Sequence, residues 1–155
     1  MRIEEKIAKI LINSKKTLCL AESCTGGLIS SRLINVSGSS KFLKAGITAY
    51  SNQAKTKFLK IPADFIKSKG AVSSEVAIKM ANGARKAIDA DYGIGVTGIA
   101  GPTGATKKKP IGLTFIAASS KKRDLCIQCH FKGSRLEVRS KACKKALELL
   151  LVLLA

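Results

Sequence analysis

The sequence predicts an α/β fold in which helices cover a mixed or mainly parallel sheet. Three observations carry that expectation. Short apolar runs of strand length alternate with segments whose apolar residues recur at helical spacing. The chain has 155 residues, the size of one domain, so residues 1–155 are read as a single unit without linker or internal repeat. Its residues are 46% hydrophobic and 25% charged, which suits a packed core and argues against disorder or a fibrous repeat.

Each element has a local reason. Ile3, Ile7, Ile10 and Leu11 recur as one helical face, so the chain opens with an amphipathic helix. The run TLCLA (17–21) reads as a short buried strand. It passes through ESCTGG straight into the helical pattern LISSRLI. After a loop around Ser37–Ser40, GITAY (46–50) reads as a strand and NQAKTKFLK (52–60) as a helix stopped by Pro62. The helix over 74–88 has Ser73 as N-cap and Glu75 in its positive first turn, with Val76, Met80, Ala84 and Ala87 on one face. A strand at 94–96 leads into a Gly-rich loop, 98–110. Strands at 113–118 and 125–131 are joined by SKKRD. A helix from about Leu136 to Leu153 closes the chain, with Leu147, Leu150, Leu151 and Leu154 serving as core or as part of an oligomer interface.

Composition excludes several functions. The net charge is +18, from 28 Lys+Arg against 10 Asp+Glu. Only six of the basic residues are Arg and there is no Trp, so a solvated lysine surface is favoured over base or phosphate reading. Nucleic-acid binding would require one positive stripe from residues such as Lys107–Lys109 and Lys121–Arg123. Five cysteines and acidic residues at Glu4 and Glu5, where a signal peptide would turn apolar, point to a reducing cytoplasm. The run ALELLLVLLA is about half of a bilayer span, so no membrane partner is expected. In CIQC, strand alternation sends Cys126 and Cys129 to opposite faces, which disfavours a metal or redox pair. The single histidine, His130, reads as structural and weakens any metal site or Ser-His-Asp triad.

Three segments could carry chemistry. AESCTGG (21–27) runs from strand to helix, the place where ligands collect in open α/β sheets. Ser23 there is either a helix N-cap or a nucleophile, and amides in the first helical turn could bind an oxyanion or phosphate. GITAYSNQAK (46–55) places Tyr50 at a strand end and Lys55 one turn into the next helix. VTGIAGP (96–102), with Gly93, Gly95, Gly98, Gly101 and Gly104 clustered around it, suits backbone contact with a ligand; it is not a P-loop.

These three segments, with GAVSSEVA (70–77), KPIG (109–112) and F-x-G-x-R-x-x-V-R (131–139) in one order, resemble the C-terminal domain of the competence/damage-inducible protein CinA. That family includes nicotinamide mononucleotide deamidase, and the resemblance runs from about Ile3 to Leu153. It implies a three-layer α/β/α sandwich that hydrolyses the nicotinamide amide of a small nucleotide substrate, with no cofactor or metal, and a homo-oligomer. By the family's motifs Ser23 is the nucleophile, Lys55 the general base and Tyr50 an assisting hydroxyl. The active-site arginine maps to Arg139 or Arg135, with Arg139 preferred. Thr25, Gly26, Gly27, Thr97, Gly98 and Gly101 complete the expected substrate site. Two departures bear on substrate fit: Ser134 stands where the family often has an acid, and Gly104–Ala105 replaces a glycine pair. A non-catalytic nucleotide- or protein-binding domain of this type, or a basic nucleic-acid-binding protein, is the alternative.

The chemistry sets a physical condition. An ordinary lysine is neutral in only about one molecule in 2,500 at pH 7, so a lysine base requires a lowered pKa. Lys55 is therefore expected to be buried, unlike most other lysines.

Overall fold

The computed structural model describes all 155 residues. Six helices, α1 (Ile3–Asn13), α2 (Leu28–Ile34), α3 (Asn52–Leu59), α4 (Ala63–Lys69), α5 (Ser74–Ala87) and α6 (Arg135–Leu154), flank one five-stranded sheet. Its strands are β1 (Leu18–Glu22), β2 (Leu43–Thr48), β3 (Tyr92–Gly98), β4 (Leu113–Ser120) and β5 (Asp124–His130), in the order β2-β1-β3-β4-β5. β2, β1 and β3 pair in parallel, while β4 is antiparallel to both neighbours. Four strands therefore run one way and β4 alone opposes them.

The sheet has a core on each face. On one, Ile7, Leu11, Ile29, Leu33, Ala146, Leu147 and Leu150 of α1, α2 and α6 pack on Leu18, Leu20, Ile94, Val96 and Ile116. On the other, Leu59, Ile66, Val76, Met80 and Ala84 of α3, α4 and α5 pack on Cys19 and Ala21. The alternation of Leu18, Cys19, Leu20 and Ala21 between the two cores shows why this strand reads as a continuous apolar run: both faces are covered. The three-layer sandwich is the expected one.

Several boundaries differ from expectation for physical reasons. The strand expected at 46–50 is Leu43–Thr48; as a sheet edge it tolerates the exposed Lys44, which masks its start. Pro62, read as a helix stop, is the N-cap of the unanticipated α4, where a fixed φ and a missing N–H cost little. Ile10 and Ala87, both assigned to buried helix faces, are exposed. Gly93 and Gly95 belong to β3, not to a ligand loop. A Cβ at either would collide with the α5 backbone at Ala81 or Ala77, so these glycines let α5 lie directly on β3.

Other expectations hold. Ser73 caps α5, its Oγ accepting from Val76 N at 3.2 Å. Cys126 packs beside Ala77, Ala81 and Ala117 while Cys129 packs against the α6-side core, so the two thiols do lie on opposite faces. Leu147 and Leu150 are fully buried; Leu151 and Leu154 are partly so. Lys107–Lys109 and Lys121–Arg123 stand before and after the eight residues of β4, at its opposite ends. No helix is long and apolar enough to cross a membrane.

Candidate active site at the β1–α2 junction

Three of the nine buried polar or charged residues, Glu22, Ser23 and Thr25, lie where β1 turns into α2. Glu22, the last residue of β1, is fully buried. Its carboxylate accepts from the amides of Gly27 (3.1 Å), Ile29 (3.1 Å) and Ser30 (2.9 Å) and from the Ser30 hydroxyl (2.9 Å). A negative group on the unpaired first-turn amides of α2 is favoured both by hydrogen bonding and by the helix dipole. Glu22 thus does the capping that was one of the two readings of Ser23. The same contacts occupy the first-turn amides expected to bind an anion. Gly26 and Gly27 make the connection at φ +60° and +96°, left-handed values that cost a side-chain-bearing residue free energy.

With α2 capped by Glu22, the Ser23 hydroxyl is free for another partner. Lys55, from the first half of α3, places Nζ 3.2 Å from Ser23 Oγ and 3.2 Å from the Tyr50 carbonyl. Ser51 caps α3 by accepting from Ala54 N at 3.0 Å, which fixes the helix turn that delivers Lys55. Lys55 is 2% exposed and Ser23 8% exposed. Burial pushes the Lys55 pKa below its ordinary value of 10.5. The one opposing influence is a Cys24 thiolate, but burial pushes that thiol up to about 11, so it is uncharged at neutral pH. The sequence-based expectation of a secluded lysine is met.

Ser23 and Lys55 open onto a cleft of about 320 Å³, lined also by Asn52, Ala71, Val72, Thr97, Gly98, Gly101 and Arg135. None of its lining residues is a carboxylate. The expected residues divide accordingly. Thr97, Gly98 and Gly101 are at the cleft, with the Thr97 hydroxyl donating to Ala71 O at 2.8 Å. Thr25, Gly26 and Gly27 lie behind it, and the buried Thr25 hydroxyl has no hydrogen-bond partner. Tyr50 lines the mouth at 63% exposure, but its hydroxyl is not between Lys55 and Ser23; it accepts from Arg135 Nη2 at 3.2 Å.

Of the two candidate arginines, only Arg135 lines the cleft. It donates to Gly101 O at 2.8 Å. Arg139, one turn further along α6, donates to the carbonyls of Cys24 and Thr25, both at 3.0 Å, and so braces the turn carrying Ser23 from behind. Ser134 accounts for one sequence departure. It caps α6, accepting from Glu137 N at 3.3 Å while its own amide donates to the Glu137 carboxylate, a role an acid would fill equally well. His130 ends β5, exposed and away from the cleft.

The strand-to-helix turn, buried lysine and glycine loop coincide with a family pattern. The family model described as CinA C-terminal domain matches residues 1–154. This chain belongs to that family. A CinA-like protein of Syntrophus aciditrophicus is 46% identical over 149 residues, covering 96% of this chain and 36% of the relative. Another, from Endomicrobium trichonymphae, is 42% identical over 142 residues, covering 92% and 33%. The chain thus spans about a third of the length of these curated relatives. Among solved structures, a CinA superfamily protein from Escherichia coli superposes with a TM-score of 0.93 at 35% identity, covering 97% of this chain and 88% of that one. The competence/damage inducible protein CihA from Agrobacterium tumefaciens gives 0.91 at 34%, covering 99% and 96%.

In this CinA domain, Glu22 is the residue that sequence reasoning passed over. Its signal was present: an acid closing an otherwise apolar strand immediately before a helix that lacks its own cap.

Proposed function

We propose that this CinA domain hydrolyses the carboxamide of nicotinamide mononucleotide to nicotinate mononucleotide and ammonia. The observation that supports this most is the buried Lys55 amine, 3.2 Å from the Ser23 hydroxyl and without a carboxylate partner in the cleft. Neutral Lys55 takes the Ser23 proton as Oγ attacks the amide carbon. The oxyanion is received by a cleft amide that lacks a protein partner, with Cys24 beside the nucleophile as the first candidate. Protonated Lys55 then gives its proton to the departing nitrogen, releasing ammonia and leaving an acyl ester on Ser23. Water, deprotonated by Lys55, attacks the ester and frees the acid and the serine. Arg135, positive and at the cleft mouth, suits the substrate phosphate.

The neighbouring Cys24 is a poorer candidate because burial holds it as a thiol, and the thiolate is the nucleophilic form. All five cysteines are free, which suits the proposed cytoplasmic setting. We read residues 1–155 as one domain acting on a small nucleotide, with self-association as part of the same proposal.

Ammonia release from nicotinamide mononucleotide, in chelator-treated buffer, tests the reading. Wild type and Cys24→Ala are expected to turn over, while Ser23→Ala and Lys55→Ala lose about a thousandfold or more. Turnover that disappears only in Cys24→Ala would overturn the serine assignment. Folded wild type inert on this and related amides would favour the binding-domain alternative.

A further inference from the structure

Two motifs singled out in the sequence, GAVSSEVA (70–77) and KPIG (109–112), take no part in the chemistry above, yet they meet at one hydrogen bond. Lys109 Nζ donates to the Val72 carbonyl at 2.7 Å. The two carbonyls preceding that contact are also occupied. Ala71 O takes the Thr97 hydroxyl at 2.8 Å, and Gly70 O takes the Ser73 hydroxyl at 2.7 Å. Ala71 and Val72 line the cleft, as do Thr97–Gly101, Thr103 and Gly104 of the glycine loop.

Lys109 differs from the lysines beside it. Lys107 and Lys108 are exposed, whereas Lys109 is half-buried and in no salt bridge. A closed turn sets its direction: Lys109 N donates to Thr106 Oγ1 at 3.1 Å, and Thr106 N donates to Lys109 O at 2.9 Å. Holding a long side chain in one rotamer costs conformational entropy, and a charged donor on a carbonyl is among the stronger hydrogen bonds that can offset it. At its other end the same loop is held by Arg135 on Gly101 O. At and after the Gly101 pin, the amides of Gly101, Thr103 and Gly104 make no hydrogen bond within the protein.

We propose that Lys109 is a positioning residue that ties the glycine loop to the Ala71–Val72 wall and thereby sets the width of the cleft over the bound nucleotide. The cross-link stands on geometry alone; its consequence for substrate rests on the amidase reading above. A cleft held at one width presents the same free amides to substrate and transition state, so its loss acts on binding more than on chemistry.

The test uses the full chain as wild type, Lys109→Ala, Lys109→Arg and the exposed control Lys108→Ala, with two readouts. Hydrogen exchange at the bonded amides of Thr106 and Gly112 reports the cross-link without turnover. Steady-state hydrolysis of nicotinamide mononucleotide separates KM from kcat. Lys109→Ala is expected to raise both the exchange rate and KM about tenfold with kcat within about twofold, the scale of one charged hydrogen bond. Lys109→Arg restores most of each, and Lys108→Ala changes neither. Unaltered exchange in Lys109→Ala, or a fall confined to kcat, overturns the proposal. If wild type releases no ammonia, the amidase reading fails by itself, and the exchange result still decides whether Lys109 holds the loop.

Discussion

At the scale of single residues, the decisive contrast is between Lys55 and the other lysines. One amine among 22 has been carried out of water beside a hydroxyl and left without a counter-charge. Its folded pKa lies below the ordinary 10.5, so between those two values the unfolded chain binds more protons than the folded one. Lys55 therefore weakens the fold most at acidic and neutral pH, and the penalty fades as pH rises toward 10.5. Replacing Lys55 by Met should raise stability by about 1 kcal/mol at pH 6 and by progressively less up to pH 10, measured by urea unfolding. Hydrolysis in wild type should show the complementary trend, with kcat/KM climbing as pH passes through the lowered pKa. A Met variant less stable than wild type at pH 6, or a rate flat across that range, would contradict a destabilised neutral base.

At the scale of elements, the β1–α2 turn is held from three directions. Glu22 caps α2 from the end of β1, Arg139 reaches from α6 to two turn carbonyls, and the glycine pair permits the left-handed path between them. Glu22→Gln keeps the shape, but its amide nitrogen cannot accept, so at least one first-turn N–H of α2 loses its partner. The loss should be about 2 kcal/mol in urea unfolding, with little change in the dependence on denaturant. An unchanged midpoint would mean that water replaces the cap at no cost. Boundaries were least legible at this scale: β2 was obscured by a lysine that only an edge strand tolerates, and α4 by a proline that both follows the end of α3 and begins the next helix.

At the scale of the whole molecule, the charge of +18 meets only five ion pairs, and the clusters at 107–109 and 121–123 lie at opposite ends of β4. Self-repulsion of that kind is screened by salt, so the melting temperature should rise between low salt and about 0.2 M sodium chloride. A fall would show that the few exposed pairs outweigh the repulsion. By itself the sequence determined the layered α/β class and the separation of Cys126 from Cys129, because periodicity and strand alternation are local properties of the chain. Only the tertiary structure decided that Glu22 caps α2, that Arg135 and not Arg139 reaches the cleft, and that Lys109 crosses to Val72. Each of those outcomes depends on where a distant element puts a carbonyl, an amide or a side chain, and no spacing within one segment encodes that distance.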